Sequence, residues 1–271
     1  MESAPVSDGD MAARALSGPF QFASVTHLQA PAGVNAVTME ALREGIANAP
    51  DDSLFLHVSC VPVRYPHARD LPTNDFAQWV GTALQAPEAA ERLAFAGSAA
   101  AQPIAELRAS LLRVLDSVPP RVRKREAADE AAFHFVRVRS VPIPLGVEAI
   151  DPLEMVEAWH RLDSAAVFYH LIEAPVFGDL SHSLPAWLRA HGADSLAVQA
   201  EQAVAAGRPI ARLRRDLGMR WRRSQIGRRL AEVSGVPEQE RLRQARAAMA
   251  RLAGRLRGRG APPTPGGETP R

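Results

Sequence analysis

The chain has one cysteine, one lysine and no long hydrophobic run. Cys60 cannot form a disulfide within the chain, and it gives no sign of an oxidising compartment. No apolar stretch approaches the roughly 18 residues that cross a bilayer, and the N-terminus lacks the basic and apolar segments of a signal peptide. We therefore expect a cytoplasmic protein without a transmembrane segment.

Two common classes of catalytic motif are also missing from the sequence. It has neither the Gly-x-Ser-x-Gly turn that exposes a nucleophilic serine nor a glycine-rich loop that binds phosphate. Asp51, Asp52 and Asp163 could act as general acids or bases, but they lie where helix caps are expected, and capping accounts for them. The sequence therefore favours a binding or accessory protein over an enzyme.

The small net charge of +2 conceals a strong asymmetry along the chain. Residues 208–271 contain 17 Arg and 5 acidic residues, a net charge of +12, whereas residues 1–207 contain 15 basic and 25 acidic residues, a net charge of −10. Such polarity indicates either an anionic partner or neutralisation of the acidic part by the basic one. Nearly all the cations are Arg, which suits phosphate binding, although a GC-rich genome produces the same bias.

A six-residue phrase occurs twice, as Pro-Ile-Ala-Glu-Leu-Arg at 103–108 and as Pro-Ile-Ala-Arg-Leu-Arg at 209–214. Each phrase closes a longer segment, and the two segments match without a gap as far as Val63 and Val176 when the chain is shifted by 113 positions. A shorter loop in the second segment then aligns Trp79 with Trp187. We therefore predict an internal duplication. The aligned pairs include Phe22 and Phe135, Pro31 and Pro144, Gly33 and Gly146, Phe55 and Phe168, and His57 and His170.

The duplication divides the sequence into six predicted segments. Residues 19–118 and 133–224 are the two copies, and each is long enough to bury a core. Between them, residues 119–132 form a basic linker stiffened by two prolines. The other predicted segments are a disordered leader at 1–18, an Arg-rich amphipathic helical extension at 225–257 and a disordered tail at 258–271.

The predicted fold class is mainly α, or α+β, with one short β-strand and about four helices in each copy, followed by a basic C-terminal helix. Residues 21–28 and 133–141 are rich in Phe and Val and end in Pro-containing loops, as short strands do. Because these segments occupy equivalent places in the two copies, they can pair with each other across a pseudo-twofold axis.

Capping residues mark where the helices begin. Thr38 and Asp151 occupy equivalent N-cap positions, which predicts helices over 39–48 and 152–161. Other helices are predicted at 53–59, 75–84, 88–96 and 164–174 and after Pro103 and Pro209. The runs at 53–59 and 164–174 are also compatible with buried strands, although a cap at Asp163 favours a helix.

The repeated histidines are the sharpest candidates for a functional site. Cys60 lies three residues after His57, and Glu173 lies three residues after His170, so each pair would share one face of a helix. Brought together between the copies, these four side chains would form a four-ligand site for zinc or iron. The alternative is that both histidines are hydrogen-bonded core or interface residues.

A distinctive string, Asn-Asp-Phe-Ala-Gln-Trp, occupies residues 74–79. Its polar pair can cap a helix while Phe76 and Trp79, three residues apart, pack inward. The alternative interpretation is a binding loop in the first copy, formed by Tyr65, His67, Asn74, Asp75 and Trp79.

The Arg-rich segment after residue 212 predicts a basic patch with one aromatic residue. Arg side chains beside an indole can bind phosphate and stack a base, or lie on an anionic membrane surface, whereas a solvated helix explains the same residues. Beyond this patch, heptad spacing in 237–257 predicts a helix that binds a protein partner, self-associates or docks on the chain's own body. The patch comprises Arg220, Trp221, Arg222, Arg223, Arg228 and Arg229, and nucleic acid is one anionic partner that fits it.

The string at 74–79, the Phe-x-His pattern at both histidines and the repeated six-residue phrase together resemble a bacterial family of unknown function. The resemblance extends over about residues 20–220 and implies the same tandem duplication. It implies that His57, His170 and the Asn74–Phe76 helix start are the family's own features. It implies no activity, since none is established for the family.

We therefore expect a mainly helical binding or accessory protein whose binding surface is the interface between the copies or the first-copy loop. A metal-dependent enzyme and a nucleic-acid-associated protein are the two alternatives.

Overall fold

In the computed structural model, which describes residues 16–65, 74–98 and 101–233, two long strands pair antiparallel. β1 comprises Phe20–Ala36 and β2 comprises Phe133–Ala149, and together they form a two-stranded sheet. The predicted pairing of these two segments is confirmed. Each strand is 17 residues long and exceeds its predicted length, because it continues through a Pro-containing stretch that was expected to be a loop.

Glycine residues allow each strand to continue past its proline. Gly33 and Gly146 have φ angles of +74° and +64°, a region that residues with a side chain rarely adopt. The ladder changes register beside both glycines, as it does at a β-bulge. The two Pro-x-Gly-Val phrases therefore shift the register of the ladder without ending its strands.

Helices fill the described part of the chain between the strands. They are α1 Met39–Asn48, α2 Asp51–Val58, α3 Val61–Arg64, α4 Asp75–Thr82, α5 Pro87–Ala96, α6 Ile104–Asp116 and α7 Pro120–Arg123. The predicted linker at 119–132 thus contains α7 and a 3₁₀ turn at Asp129–Ala131, and its Glu126 forms an isolated β-bridge with Thr38.

Helices also follow β2. They are α8 Pro152–Ala158, α9 Ser164–Phe168, α10 Ala174–Val176, α11 Leu184–Ala190, α12 Asp194–Ala205 and α13 Ile210–Val233. A 3₁₀ turn at Trp159–Arg161 extends α8, and a π-helical turn at Tyr169–Glu173 joins α9 to α10. Both runs that were compatible with buried strands are therefore helical.

Side-chain caps begin several helices at the predicted positions. Thr38, Asn74, Asp151 and Asp163 each accept a hydrogen bond from a backbone N–H in the first helical turn. These bonds satisfy amides that would otherwise lack a partner within the helix.

Capping was the wrong explanation for Asp51 and Asp52. The N-cap of α2 is Pro50, which makes no side-chain capping bond. Asp51 instead accepts a hydrogen bond from Arg108 at 2.6 Å, and Asp52 accepts one from Arg137 at 3.0 Å. Both carboxylates therefore bind distant parts of the fold.

The last Arg of each repeated phrase binds a backbone carbonyl at the end of an earlier helix in the same half of the chain. Arg108 Nη1 donates to the carbonyl oxygen of Ile46 at 2.5 Å, near the end of α1. Arg214 Nη1 donates to the carbonyl oxygen of Leu162, just after the 3₁₀ turn that extends α8. In both halves the guanidinium satisfies a carbonyl left without a partner at the end of an earlier helix.

A large apolar core extends through both halves of the described chain. At its centre, the rings of Phe55 and Phe168 lie 5.8 Å apart. Two buried indoles fix the points where the strands begin. The indole N–H of Trp79 donates to the Ala131 carbonyl at 2.6 Å, just before β2, and that of Trp187 donates to the Gly18 carbonyl at 2.9 Å, just before β1.

The chain divides into two compact units, Met1–Trp221 and Arg222–Arg271. The described part of the second unit is the end of α13. The predicted leader up to residue 15, the helix at 237–257 and the tail at 258–271 lie outside the described residues. Within the described parts of the chain, no helix is both long enough and apolar enough to cross a membrane.

Candidate functional site

The middle of the two-stranded sheet lies over a buried polar group. His27 pairs with Ser140 at the centre of the ladder. The Nε2–H of His27 donates to the carboxylate of Glu173 in the π-helical turn, at 2.8 Å, and Glu173 is only 2% exposed. Sequence reasoning missed His27, whose only signal was that a shift of 113 positions places it on Ser140, its own partner in the ladder.

His170 is completely occupied by hydrogen bonds to the backbone. Its Nε2 accepts from the N–H of Ala23 in β1 at 2.9 Å, and its Nδ1–H donates to the carbonyl oxygen of His182 at 2.8 Å. A ring with one accepting and one donating nitrogen is neutral, so these partners fix its tautomer. Burial of the ring lowers the pKa of His170 to about 4.

His57 makes the corresponding contact with β2. Its Nε2 accepts from the N–H of Val136 at 3.0 Å, and its Nδ1–H donates to the carboxylate of Asp75 at 2.8 Å. Arg64 Nη2 donates to the same Asp75 oxygen at 2.5 Å. Each histidine therefore accepts a hydrogen bond from a strand amide, and the bond to Asp75 fixes the orientation of the His57 ring.

The four predicted metal ligands are placed differently from the expected cluster. Cys60 is buried, and its burial, followed by the nearby Glu173 carboxylate, raises the pKa of its thiol. His57 and His170 have both ring nitrogens engaged by protein groups. Among the described residues, no group of three or more His, Cys, Asp or Glu side chains is arranged to hold a metal. Zinc or iron binding by these four residues stays a prediction, which elemental analysis of the purified protein would test.

The predicted first-copy loop is only partly within the described residues. Asn74 is buried, and its side chain donates to the Leu93 carbonyl at 2.9 Å while it caps α4. Trp79 is also buried. Tyr65 is exposed, and its ring lies 5.4 Å from the guanidinium carbon of Arg64. His67 lies outside the described residues.

The predicted basic patch loses its aromatic member. Trp221 is buried against Trp159, with ring centroids 4.7 Å apart, so its ring cannot stack on a nucleic-acid base. Arg220, Arg222 and Arg223 are exposed. The side chains of Arg228 and Arg229 are not among the described ones.

A second polar cluster, which sequence reasoning missed, follows α10. Asp179 accepts hydrogen bonds from the Ser181 hydroxyl at 2.5 Å and from His182 Nδ1 at 2.8 Å. Burial alone would raise the pKa of Asp179, but the bonds from Ser181 and His182 outweigh it and lower the pKa. The cluster positions the loop whose His182 carbonyl accepts from His170.

A concave pocket of about 370 Å³ opens between β1, α1 and β2. Most of its wall belongs to the first predicted copy, but Phe135 and Arg137 come from the second. Its lining includes Val34, Glu44, Gly45, Asn48, Phe135 and Arg137. A wider groove of about 790 Å³ lies between α5 and α6, where Phe95 is 82% exposed.

Comparisons with known proteins place the chain among its relatives. A solved structure, that of OrfY from Thermoproteus tenax, is similar, with 25% sequence identity and a TM-score of 0.65. The similarity covers 76% of this chain and 95% of OrfY. No curated protein gives a significant match. The model of a family of unknown function, DUF5752, matches residues 17–219, and the chain therefore belongs to that family.

Proposed function

We propose that the chain is a tandem duplication whose copies correspond to residues 19–118 and 133–224. The strand contacts of the two histidines support this. The accepting residues His57 and His170 are 113 positions apart, and so are the donating residues Ala23 and Val136. The indole bonds support it too, since their carbonyl acceptors, Gly18 and Ala131, are also 113 positions apart in sequence. Reciprocal contacts of this kind are expected when two copies meet across a twofold axis.

We further propose a cytoplasmic binding or accessory protein rather than an enzyme. The observation that carries this proposal is that both nitrogens of His57 and of His170 are bonded to protein groups. A general base needs a nitrogen lone pair within reach of its substrate, and these rings instead accept from strand amides. The repeated imidazoles therefore join the halves of the protein.

The proposed binding surface is the pocket between β1, α1 and β2. Its volume of about 370 Å³ lies within the range typical of small-molecule sites, roughly 300–1,000 Å³. Apolar groups of Val34, Gly45 and Phe135 line it beside a few polar side chains, as in most such sites. Because both copies contribute to its wall, the pocket depends on their pairing.

Saturation-transfer NMR with a mixed set of small fragments tests this proposal on the full chain. Asn48→Arg should fill the pocket and abolish fragment signals, since Asn48 is an exposed wall residue. Arg161 stands at the position that corresponds to Asn48 in the second copy, so Arg161→Asn is the matched control and should bind fragments normally. Equal binding by Asn48→Arg, or no binding by the wild type, would refute the proposed surface. Thermal unfolding verifies that both variants are folded.

Nucleic-acid association is the second candidate function. It is favoured by three exposed Arg side chains on α13, Arg212, Arg215 and Arg220. Replacing all three with Gln should weaken DNA binding and reduce its salt dependence, by a slope of about 0.9 for each lost phosphate contact. No binding to duplex or single-stranded DNA at low salt would remove this candidate.

A further inference from the structure

The charges around the pocket between β1, α1 and β2 do not cancel. Its one cation, Arg137, is already compensated, because Nη2 and Nε donate to the Asp52 carboxylate at 3.0 and 3.2 Å. Glu44 lies on the pocket-facing side of α1, is exposed, and has no ion-pair partner among the described residues. The pocket therefore carries one uncompensated negative charge.

The end of α1 offers one backbone acceptor at the same place. The helix ends at Asn48, which lines the pocket, and no basic residue lies in its last turn. The carbonyl groups at a helix C-terminus carry a partial negative charge, which favours a cation nearby. Arg108 from α6 binds the carbonyl oxygens of Ile46 and Ala47, and the Ala49 N–H binds that of Gly45, so among the described residues the Asn48 carbonyl is the one left without a partner in the last turn.

The rest of the wall suits a hydrocarbon group. The Phe135 ring approaches the α1 backbone so closely that a methyl group at Gly45 would overlap it. Val34 from the bulged part of β1 also lines the pocket, and it is 45% exposed. Burying apolar ligand surface against these groups would contribute roughly 25 cal/mol per Å².

From this arrangement we infer that the pocket binds a small organic monocation, a protonated aliphatic amine. Its ammonium group lies between Glu44 and the end of α1, and its hydrocarbon chain lies against Phe135. This inference rests on the proposed binding function and names the ligand class of the same pocket.

The corresponding place in the second copy differs and supplies a control. Glu157 corresponds to Glu44, but Ala158 stands in place of Gly45 and Arg161 in place of Asn48. The methyl group of Ala158 reduces the space at this position, and the guanidinium of Arg161 would repel a bound ammonium group. The amine is therefore expected to bind the first site alone.

The test is an NMR titration of the full chain with three probes of equal length, n-pentylammonium, 1-pentanol and pentanoate. The wild type should bind pentylammonium most tightly and pentanol less tightly. It should bind pentanoate most weakly of the three. Glu44→Gln should weaken pentylammonium binding by roughly two- to fivefold, the range of exposed ion pairs, and should leave pentanol binding unchanged. Glu157→Gln should change neither.

The outcomes separate the ligand class from the binding function. If pentanol binds as tightly as pentylammonium, and Glu44→Gln has no effect, the pocket is a binding site but the inference of a cation is wrong. The inference also fails if none of the three probes binds. In that case fragments that bind the wild type and not Asn48→Arg would still uphold the proposed function.

Discussion

The backbone N–H of Ala23 donates to Nε2 of His170 at 2.9 Å, although 147 residues separate them in sequence. In a two-stranded sheet, alternate N–H groups of each strand point away from the partner strand, and a buried one needs another acceptor. Left unpaired, a buried donor costs about 1–3 kcal/mol. The imidazole therefore ties the helices of the second half to the strand of the first.

Acid should destabilise the protein through His170. Because burial lowers its pKa to about 4 from an ordinary 6.5, the unfolded chain takes up the proton first as the pH falls. The stability linked to this ring is complete above pH 6.5 and is lost progressively toward pH 4. Between pH 7 and 4.5 the wild type should lose about 2 to 3 kcal/mol more than His170→Gln in denaturant unfolding. His160→Gln, at an exposed position, should retain the wild-type profile, and equal acid sensitivity of all three proteins would contradict this assignment.

Removing the His57 imidazole should lower the stability of the protein through its contact with β2. His57→Ala leaves the Val136 N–H without its acceptor and creates a cavity, so the free energy of unfolding should fall by about 2–4 kcal/mol. His57→Gln restores an acceptor and should cost less. The exposed His134→Ala is the control and should change stability by about 0.5 kcal/mol or less. If His57→Ala costs no more than this control, the contact does not stabilise β2.

The two indole bonds predict matched losses in Trp→Phe variants. Trp79→Phe and Trp187→Phe each remove a donor to a carbonyl just before a strand and part of a buried ring. Each should lower the free energy of unfolding by about 1–3 kcal/mol. Hydrogen exchange should reveal where the loss acts, with the first residues of β2 less protected in Trp79→Phe and those of β1 in Trp187→Phe. Uniform loss of protection across both strands would argue against separate anchors.

Replacing Gly45 with Ala should lower the stability of the protein, although alanine usually stabilises a helix relative to glycine. Alanine there gains roughly 1 kcal/mol in helix propensity, but its methyl group would overlap the buried Phe135 ring. We expect Gly45→Ala to destabilise the protein by about 1–3 kcal/mol. A double-mutant cycle with Phe135→Leu should show coupling, because the smaller side chain makes room for the methyl group. Additive effects would mean that the close approach of ring and helix is unimportant.

Sequence was sufficient for four helix starts, where the signal was local, although the same local signal failed at Asp51 and Asp52. Thr38, Asn74, Asp151 and Asp163 mark helix starts because a short polar side chain can satisfy nearby amides whatever the rest of the chain does. The pairing of the strand segments was predictable for another reason, since their equivalent places in the predicted repeat limited the choice of partner.

The features that sequence did not reveal depend on distant partners. Pro31 was expected to lie in a loop because proline lacks an N–H, but Gly33 allows a bulge whose register only β2 can fix. His27 meets Glu173 across 146 residues, and no local spacing indicates that contact.

The burial of Trp221 had a sequence signal that its Arg neighbours concealed. Leu213, Leu217 and Trp221 recur every fourth residue and form the buried side of α13. Helical periodicity was therefore a better guide to this residue than local charge.

His57 and His170 each accept a hydrogen bond from a strand amide through Nε2. Long-range nitrogen–hydrogen NMR on isotope-labelled protein near neutral pH detects this arrangement in both rings. For both His57 and His170 we expect a protonated Nδ1, an unprotonated Nε2, and coupling from that Nε2 to the amide of Val136 or Ala23 respectively. A protonated Nε2 in either ring, or the absence of coupling from Nε2 to the strand amide, would show that the ring does not accept from the strand.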